Sequence, residues 1–224
     1  MSIAEIINQI KSTLPANVKL VAVSKTKPIE LLMEAYVAGQ RAFGENKVQE
    51  MVSKYEALPK DIEWHFIGHL QSNKIKQIIP FVHLIHGIDS FKLLKAIDKE
   101  ARQANRDIPC LLQFHIAEED TKFGLSMDET LEMLNSSEFK SLDHITIAGV
   151  MGMATYTDDI DLIRKEFAHL KTIFDQLRKD YFYDNDEFRE ISMGMSGDYL
   201  IAVQEGSTMI RIGSILFGER TYSL

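Results

Sequence analysis

The sequence Leu20-Val21-Ala22-Val23-Ser24-Lys25-Thr26-Lys27-Pro28 is a short apolar run, rich in β-branched residues, that stops at a lysine. A continuous apolar run of this length predicts a strand buried on both faces, as in a parallel sheet. Because side chains alternate along a strand, Val21, Val23 and Lys25 share one face, and the lysine lies beyond the last apolar residue. Desolvation at the carboxyl end of such a strand favours the neutral amine, which can form a Schiff base. A strand-end lysine that simply reaches solvent is the alternative interpretation of this segment.

The composition favours a cytoplasmic α/β protein made of one domain over residues 1–224. The chain has 224 residues, of which 45% are hydrophobic, and a net charge of −8 without basic clusters, so we predict no nucleic-acid partner. The single cysteine, Cys110, lies inside an apolar run, which excludes an intramolecular disulfide, fits a reducing compartment and predicts a buried, inert thiol. Neither a signal peptide nor an apolar run of membrane-spanning length is visible, and we expect no membrane association.

Strand and helix patterns alternate along the whole chain. A helical pattern with Ser2 as its cap comes before the first strand. Seven more strand patterns follow, separated by helical ones, at 41–46, 63–68, 82–88, 108–116, 145–153, 191–195 and 209–216. Eight such repeats predict a single (β/α)₈ TIM barrel with an extra N-terminal helix. A doubly wound open sheet is the alternative, but the first βα turn lacks the G-x-G-x-x-G pattern of dinucleotide-binding folds.

In a barrel of this kind the active face lies at the carboxyl ends of the strands. The residues predicted at those ends are Lys25, Asn46, Gly68, His69, His115, Met153, Ser196 and the segment from Arg211 to Ser214. Barrels often bind a phosphate on the loops after strands seven and eight, where backbone amides meet a helix N-terminus. Ser196 and Gly197 follow strand seven, and Gly213 and Ser214 end strand eight, which fits that arrangement. A cap at Ser196 and relief of crowding at Gly213 would explain the same residues without a ligand.

Arg211 shares its strand face with Gly213, so its side chain should point into the same cavity. A buried arginine needs an acceptor, which could be a structural carboxylate or a ligand atom. A lysine, a phosphate cradle and an inward arginine together describe a site for pyridoxal 5′-phosphate (PLP). In that site the aldehyde would meet Lys25 and the pyridine nitrogen would meet Arg211.

Five motifs carry a resemblance to a known family. They are A-V-S-K-T at 22–26, F-G-E-N at 43–46, W-H-F-I-G-H-L-Q-S-N-K at 64–74, M-G-M-S-G-D-Y at 193–199 and R-I-G-S-I-L-F-G at 211–218. With these motifs the chain resembles the pyridoxal-phosphate homeostasis family (YggS/PROSC), which is related to the barrel domain of alanine racemase. The resemblance implies that PLP forms a covalent aldimine with Lys25. It further implies that Asn46 lies beside the ring, that Arg211 faces the pyridine nitrogen, and that the phosphate is bound by Ser196, Gly197, Gly213 and Ser214.

One position departs from the family pattern. Where the family usually reads Q-V-N-I-A after strand five, this chain has Gln113-Phe114-His115-Ile116-Ala117, with a histidine in place of the asparagine. If His115 lines the cofactor pocket, ring contacts or substrate access should differ. A histidine displaced from the pocket would change little.

The predicted site favours cofactor handling over catalysis. An arginine at the pyridine nitrogen keeps that nitrogen unprotonated, which makes the ring a poor electron sink. The likeness to alanine racemase implies a second acid/base, a tyrosine from a separate C-terminal domain of the partner subunit. Few residues follow strand eight here, and Tyr222 lies in a tail that would position a base poorly, so we expect no such group.

We therefore predict a monomeric PLP-binding homeostasis protein that stores, delivers or buffers the cofactor, with apo PLP-dependent enzymes as recipients and no robust catalytic activity. A slow racemase acting on small amino acids is the first alternative. A barrel that binds another phosphorylated metabolite, with Lys25 as an electrostatic contact, is the second. The histidines at 65, 69, 83 and 86 show no metal-ligand spacing with carboxylates, and we predict no metal.

Overall fold

Eight parallel strands close into a barrel in chain order. The computed structural model describes residues 1–118 and 124–219. The strands are β1 (Lys19–Val23), β2 (Ala42–Glu45), β3 (Glu63–Phe66), β4 (Val82–Ile88), β5 (Ile108–Gln113), β6 (Ile145–Met151), β7 (Glu190–Ser192) and β8 (Met209–Ile212). Each strand pairs with the next, and β8 pairs with β1, so the sheet has no open edge. This closure confirms the predicted (β/α)₈ barrel.

Helices follow the strands and cover the outside of the barrel. The α-helices are α1 (Ile3–Thr13), α2 (Ile29–Val37), α3 (Val48–Ala57), α4 (Ile75–Ile78), α5 (Phe91–Ala104), α6 (Met127–Asn135), α7 (Ile160–Asp180), α8 (Tyr199–Gln204) and α9 (Ser214–Phe217). The extra helix α1 begins at a Ser2–Glu5 capping box and packs against α2 and α9. Among the described residues, no helix combines the length and hydropathy needed to cross a membrane.

Two apolar layers result from the alternation of side chains along the strands. In β1, Leu20 and Ala22 point outward and join the large cluster between the strands and the helices. Val21 points inward, into a small cluster inside the barrel. The other members of the inner cluster are Leu84, Leu111, Ala148, Met151 and Met209. The small size of this inner layer leaves room for polar groups in the rest of the barrel interior.

The last strand is shorter than its sequence pattern predicts. β8 ends at Ile212, and the residues predicted to continue it, Ser214 to Leu216, begin helix α9. Short apolar runs fit a strand or a buried helix equally well, so periodicity alone does not locate this boundary. The strand predicted over 108–116 is likewise shorter in the structure, where β5 ends at Gln113. Cys110 is fully buried, as predicted, and burial raises the pKa of its thiol, which disfavours the reactive thiolate.

Candidate functional site

A cavity of about 1000 Å³ opens at the carboxyl ends of the strands. All seven residues that the sequence marks as cofactor-binding line it: Lys25, Asn46, Ser196, Gly197, Arg211, Gly213 and Ser214. They come from four segments, which follow β1, β2 and β7 and belong to or follow β8. The barrel closure places the first and the last of these segments side by side, because β1 pairs with β8.

Lys25 is half-buried and lies in a turn that follows β1. The next residue, Thr26, has φ +65°, in the left-handed region that β-branched residues avoid. Surrounding contacts must hold this conformation against its cost of roughly 1–2 kcal/mol. The turn is closed by a hydrogen bond of 3.0 Å from the Lys27 amide to the Ser24 carbonyl.

Helix α3 fixes the backbone on both sides of Lys25. On one side, Lys54 Nζ donates to the Ser24 carbonyl at 2.7 Å. On the other, the Thr26 amide donates to Glu50 Oε1 at 2.5 Å, and Lys54 Nζ also donates to that oxygen, at 2.7 Å. The peptide groups before and after Lys25 are therefore bonded to one connected pair of charged side chains.

A buried carboxylate completes this network. Glu45 Oε1 accepts hydrogen bonds from Ser24 Oγ at 2.6 Å and from Lys54 Nζ at 2.7 Å. We call Ser24, Glu45, Glu50 and Lys54 the rim clamp. Burial raises the pKa of Glu45, and the Lys54 ammonium opposes that rise. The glutamate of the F-G-E-N motif thus positions the Lys25 turn, a role that its place in the sequence does not reveal.

Arg211 is held from inside the barrel. Its Nη1 donates to Ser192 Oγ at 2.6 Å and its Nη2 donates to the Gly152 carbonyl at 3.1 Å. Ser192 Oγ lies 2.9 Å from His86 Nδ1, and His86 Nε2 lies 2.9 Å from His65 Nδ1. We call His65, His86, Ser192 and Arg211 the interior chain. Burial lowers the pKa of Arg211 to about 10, so its guanidinium remains charged at neutral pH.

Backbone amides converge near the loops after β7 and β8. Within the described residues, the N–H groups of Ser196, Gly197, Ser214 and Ile215 donate no hydrogen bond to the protein, and all four residues line the cavity. The two loops are tied together by a bond of 3.3 Å from the Gly213 amide to Ser196 Oγ. These amides lie at the starts of two short helices, where partial positive charge is concentrated. Such a set of N–H groups suits the binding of an anion.

Two glycines allow backbones to meet closely at this rim. A Cβ atom on Gly213 would lie 3.2 Å from the Val23 carbonyl oxygen, and one on Gly68 would lie 2.5 Å from the Asn46 carbonyl oxygen. A side chain at Gly68 would force the β2 and β3 segments apart. The glycine therefore preserves the position of Asn46 at the cavity wall.

Several cavity residues were missed or misplaced by the sequence analysis. Gln113 lines the cavity because β5 ends there, whereas His115 lies two residues further on, is exposed and is not among the described lining residues. His115, which replaces the asparagine of the family pattern, therefore lies outside the pocket. Thr155 and Tyr156 follow β6 and also line the cavity. Their place directly after a strand is the sequence feature that could have identified them. Tyr222 lies outside the described residues.

The donor set matches the functional groups of PLP. The cofactor has an aldehyde, a dianionic phosphate and a pyridine nitrogen, and the cavity offers an amine, unpartnered amides with a hydroxyl, and a guanidinium. Each group comes from a different part of the rim, and the cavity volume exceeds what such a small molecule needs. The residues present therefore fit this cofactor.

Comparisons with known proteins agree with this fit. The alanine racemase N-terminal domain family matches residues 2–221. A pyridoxal phosphate homeostasis protein of Aquifex aeolicus is 38% identical over 205 residues, covering 91% of this chain and 88% of the relative. The one from Synechocystis sp. is 38% identical over 218 residues, covering 95% and 96%.

Solved structures show the same relationship. PipY of Synechococcus elongatus with PLP bound has a TM-score of 0.86 and 35% identity, over 97% of this chain and 100% of that one. Alanine racemase from E. faecalis shares the fold, with a TM-score of 0.78 at 16% identity over 97% of this chain and 58% of that one. By its sequence and its barrel, this chain belongs to the pyridoxal phosphate homeostasis proteins of the alanine racemase N-terminal domain family.

Proposed function

We propose that this protein binds PLP covalently through Lys25 and serves in PLP homeostasis, by storing, delivering or buffering the cofactor. The observation that carries the proposal is the convergence of Lys25, Arg211 and four unpartnered amides on one cavity. PipY, which is similar over nearly the whole chain, has been solved with PLP bound. When bound, PLP supplies an aldehyde that condenses reversibly with amines and a ring that can take up electrons.

Each residue of the cavity has a distinct task in this proposal. The Lys25 amine bonds to the aldehyde carbon of PLP with loss of one water. The rim clamp holds the backbone of Lys25 in place. The amides of Ser196, Gly197 and Ser214 and the two serine hydroxyls bind the phosphate, and Gly213, which has no side chain, lets the backbone approach it closely. Asn46 borders the ring. Because the Arg211 guanidinium stays charged at neutral pH, it keeps a proton off the pyridine nitrogen.

The same arrangement favours holding the cofactor over turnover. A ring without a proton on its nitrogen withdraws electrons weakly, so the carbanion chemistry of most PLP enzymes is disfavoured. Racemisation further needs an acid/base on each face of the substrate. Among the described lining residues Tyr156 is the only tyrosine, and it is 98% exposed, so nothing holds its hydroxyl in place. The protein is therefore proposed to lack robust catalytic activity.

The cellular setting follows from the same proposal. The chain acts as one PLP-binding domain over residues 1–224, as a monomer in the cytoplasm, and apo PLP-dependent enzymes receive the cofactor. The reversibility of an amine–aldehyde link supports such a transfer, because another amine can displace Lys25. Mixing the loaded protein with an apo-enzyme should restore that enzyme's activity, and the time course measures the exchange rate.

Visible absorption tests the covalent attachment. Purified protein incubated with PLP should develop an absorption band distinct from that of the free cofactor, and Lys25→Ala should abolish it. Lys27→Ala is the matched control, because Lys27 also lines the cavity but its Nζ donates to the Glu219 carbonyl at 2.8 Å. The Lys27 variant should keep the band.

Two results would contradict the proposal. A band that persists in Lys25→Ala and disappears in Lys27→Ala would show that PLP is attached to Lys27 and not to Lys25. Chiral analysis of alanine and serine after incubation tests for turnover. Racemisation at ordinary enzyme rates, about 1–10³ per second, would make the protein an enzyme.

A further inference from the structure

Three potential metal ligands meet in the barrel away from the PLP site. Glu63 and His65 lie two residues apart on β3 and share its inner face. The β3–β4 register shifts between Trp64 and His65, which face Val82 and Leu84, so His83 is an extra residue in β4. Such a bulge re-aims its side chain. Ligand atoms of Glu63, His65 and His83 consequently all lie within 4.8 Å of one another.

His65 has a nitrogen without a partner at this place. The residue is 2% exposed, and its Nε2 is buried without a hydrogen bond, whereas its Nδ1 lies 2.9 Å from His86 Nε2. Burial lowers the pKa of His65 to about 3, so the ring is neutral at ordinary pH. With the proton on Nδ1, the Nε2 atom presents a lone pair. A buried polar atom left unsatisfied costs about 1–3 kcal/mol unless something binds it.

We propose that Glu63, His65 and His83 form a site for a divalent transition metal, with Zn²⁺ as the matching ion. Two histidines and a glutamate are a recognised zinc ligand set that leaves a position open for water. His65 already has the support that metal-binding histidines use, since its second nitrogen is bonded to His86. This site goes beyond the PLP-binding function and does not depend on it.

Small side-chain movements would close the site. Ligand atoms about 2.1 Å from a tetrahedral ion lie roughly 3.4 Å apart, and the three ligand atoms here lie within 4.8 Å of one another. Glu63 and His83 are exposed and can change rotamer without disturbing the core. The neighbouring cation, Lys19, is paired with Glu190 at 2.6 Å, which reduces its repulsion of a metal ion. The site runs against the prediction of no metal, which rested on spacing along the sequence and could not include a bulge.

Calorimetric titration of the chelator-treated protein with zinc chloride tests the proposal. Wild type should bind one Zn²⁺, with or without PLP, and Glu63→Gln and His83→Asn should each weaken binding by about 100-fold or more, since even outer-shell changes cost 10–100-fold. Exposed residues elsewhere provide the controls Glu132→Gln and His169→Asn, which should bind as wild type does. Zinc should also raise the melting temperature of wild type and of the controls but not of the two site variants.

Two outcomes would overturn the proposal. One is the absence of stoichiometric zinc binding in wild type. The other is binding that survives both Glu63→Gln and His83→Asn unchanged, which would place the ion elsewhere. Because both substituted residues are exposed, circular dichroism should show that the variants remain folded. Loss of PLP binding is read separately by absorption, so a failure of the metal site is distinguishable from a failure of the proposed function.

Discussion

The rim clamp and the interior chain are both buried polar networks that position a cavity residue, but their chemistry differs. The rim clamp pairs full charges, Glu45 and Glu50 with Lys54, and fixes the backbone around Lys25. The interior chain carries one charge, on Arg211, and connects it through a hydroxyl to two histidines. A strained turn is thus held by ion pairs, whereas a guanidinium is oriented by neutral acceptors.

Breaking the rim clamp should have the largest effect. Lys54→Met leaves Glu45 buried without its cation, and removing one partner of a buried ion pair costs about 3–5 kcal/mol of unfolding free energy. Urea denaturation measures this loss. Lys95→Met, which breaks an exposed pair with Glu138, is the matched control and should cost less than about 1 kcal/mol.

A double variant sharpens that result. Glu45→Gln together with Lys54→Met removes both charges and should recover part of the stability that Lys54→Met loses. If Lys54→Met were no more harmful than Lys95→Met, the rim clamp would not hold the turn.

Removing the hydroxyl of the interior chain should cost less unfolding free energy than breaking the rim clamp. Ser192→Ala takes one acceptor from the buried Arg211 but leaves the Gly152 carbonyl, and a hydrogen bond to a charged group contributes about 1.5–3 kcal/mol. Ser207→Ala, also buried, removes only hydroxyl bonds to backbone carbonyls and should cost about 1 kcal/mol. Urea midpoints compare the two, and an equal loss would mean that Ser192 has no special task toward Arg211.

Acid should destabilise the interior chain through its histidines. The pKa of His65 is about 3 in the fold, below its ordinary value of 6.5, so between these values the unfolded chain binds the extra proton. Unfolding free energy therefore falls as the pH drops through 6.5, by about 1.4 kcal/mol per pH unit for a histidine that stays neutral. Nuclear magnetic resonance should show His65 neutral at pH 5. A normal titration of His65 would refute its burial as a neutral ring.

Relieving the strained turn should have the smallest effect. Thr26→Gly removes a left-handed penalty of roughly 1–2 kcal/mol, but glycine costs about 0.5–1 kcal/mol in chain entropy. The net change should stay below about 1 kcal/mol in urea denaturation and favour the fold. Thr26→Ala keeps the penalty and serves as the reference. A glycine variant less stable than the alanine variant would show that the turn is not strained.

Local patterns predicted the barrel and the cavity residues because each signal lies within a few residues. The run that ends at Lys25 predicted β1, and Ser2 was predicted as the cap at which helix α1 begins, as the structure has it. The parity of Arg211 and Gly213 predicted that both face the cavity, where the structure places them.

The two networks escaped prediction because they depend on packing between distant segments. Lys54 points at Glu45 and Ser24 only because α3 folds back over β1 and β2. His65 and His86 meet across a register shift that no periodicity reveals. Short apolar segments such as 214–217 escaped for another reason, since hydrophobicity does not separate a strand end from one turn of helix.

The pairing of β1 with β8 determines when the cavity becomes complete during synthesis. Lys25 follows β1, the first of the eight strands to be synthesised, while Gly213 and Ser214 follow β8, the last of the eight. A nascent chain that has not yet added β8 has the Lys25 amine but lacks the backbone amides that follow β8. The cavity is therefore complete only once the barrel has closed, and a ligand that binds this cavity stabilises closed barrels alone. A bound ligand would then report that β8 has joined β1.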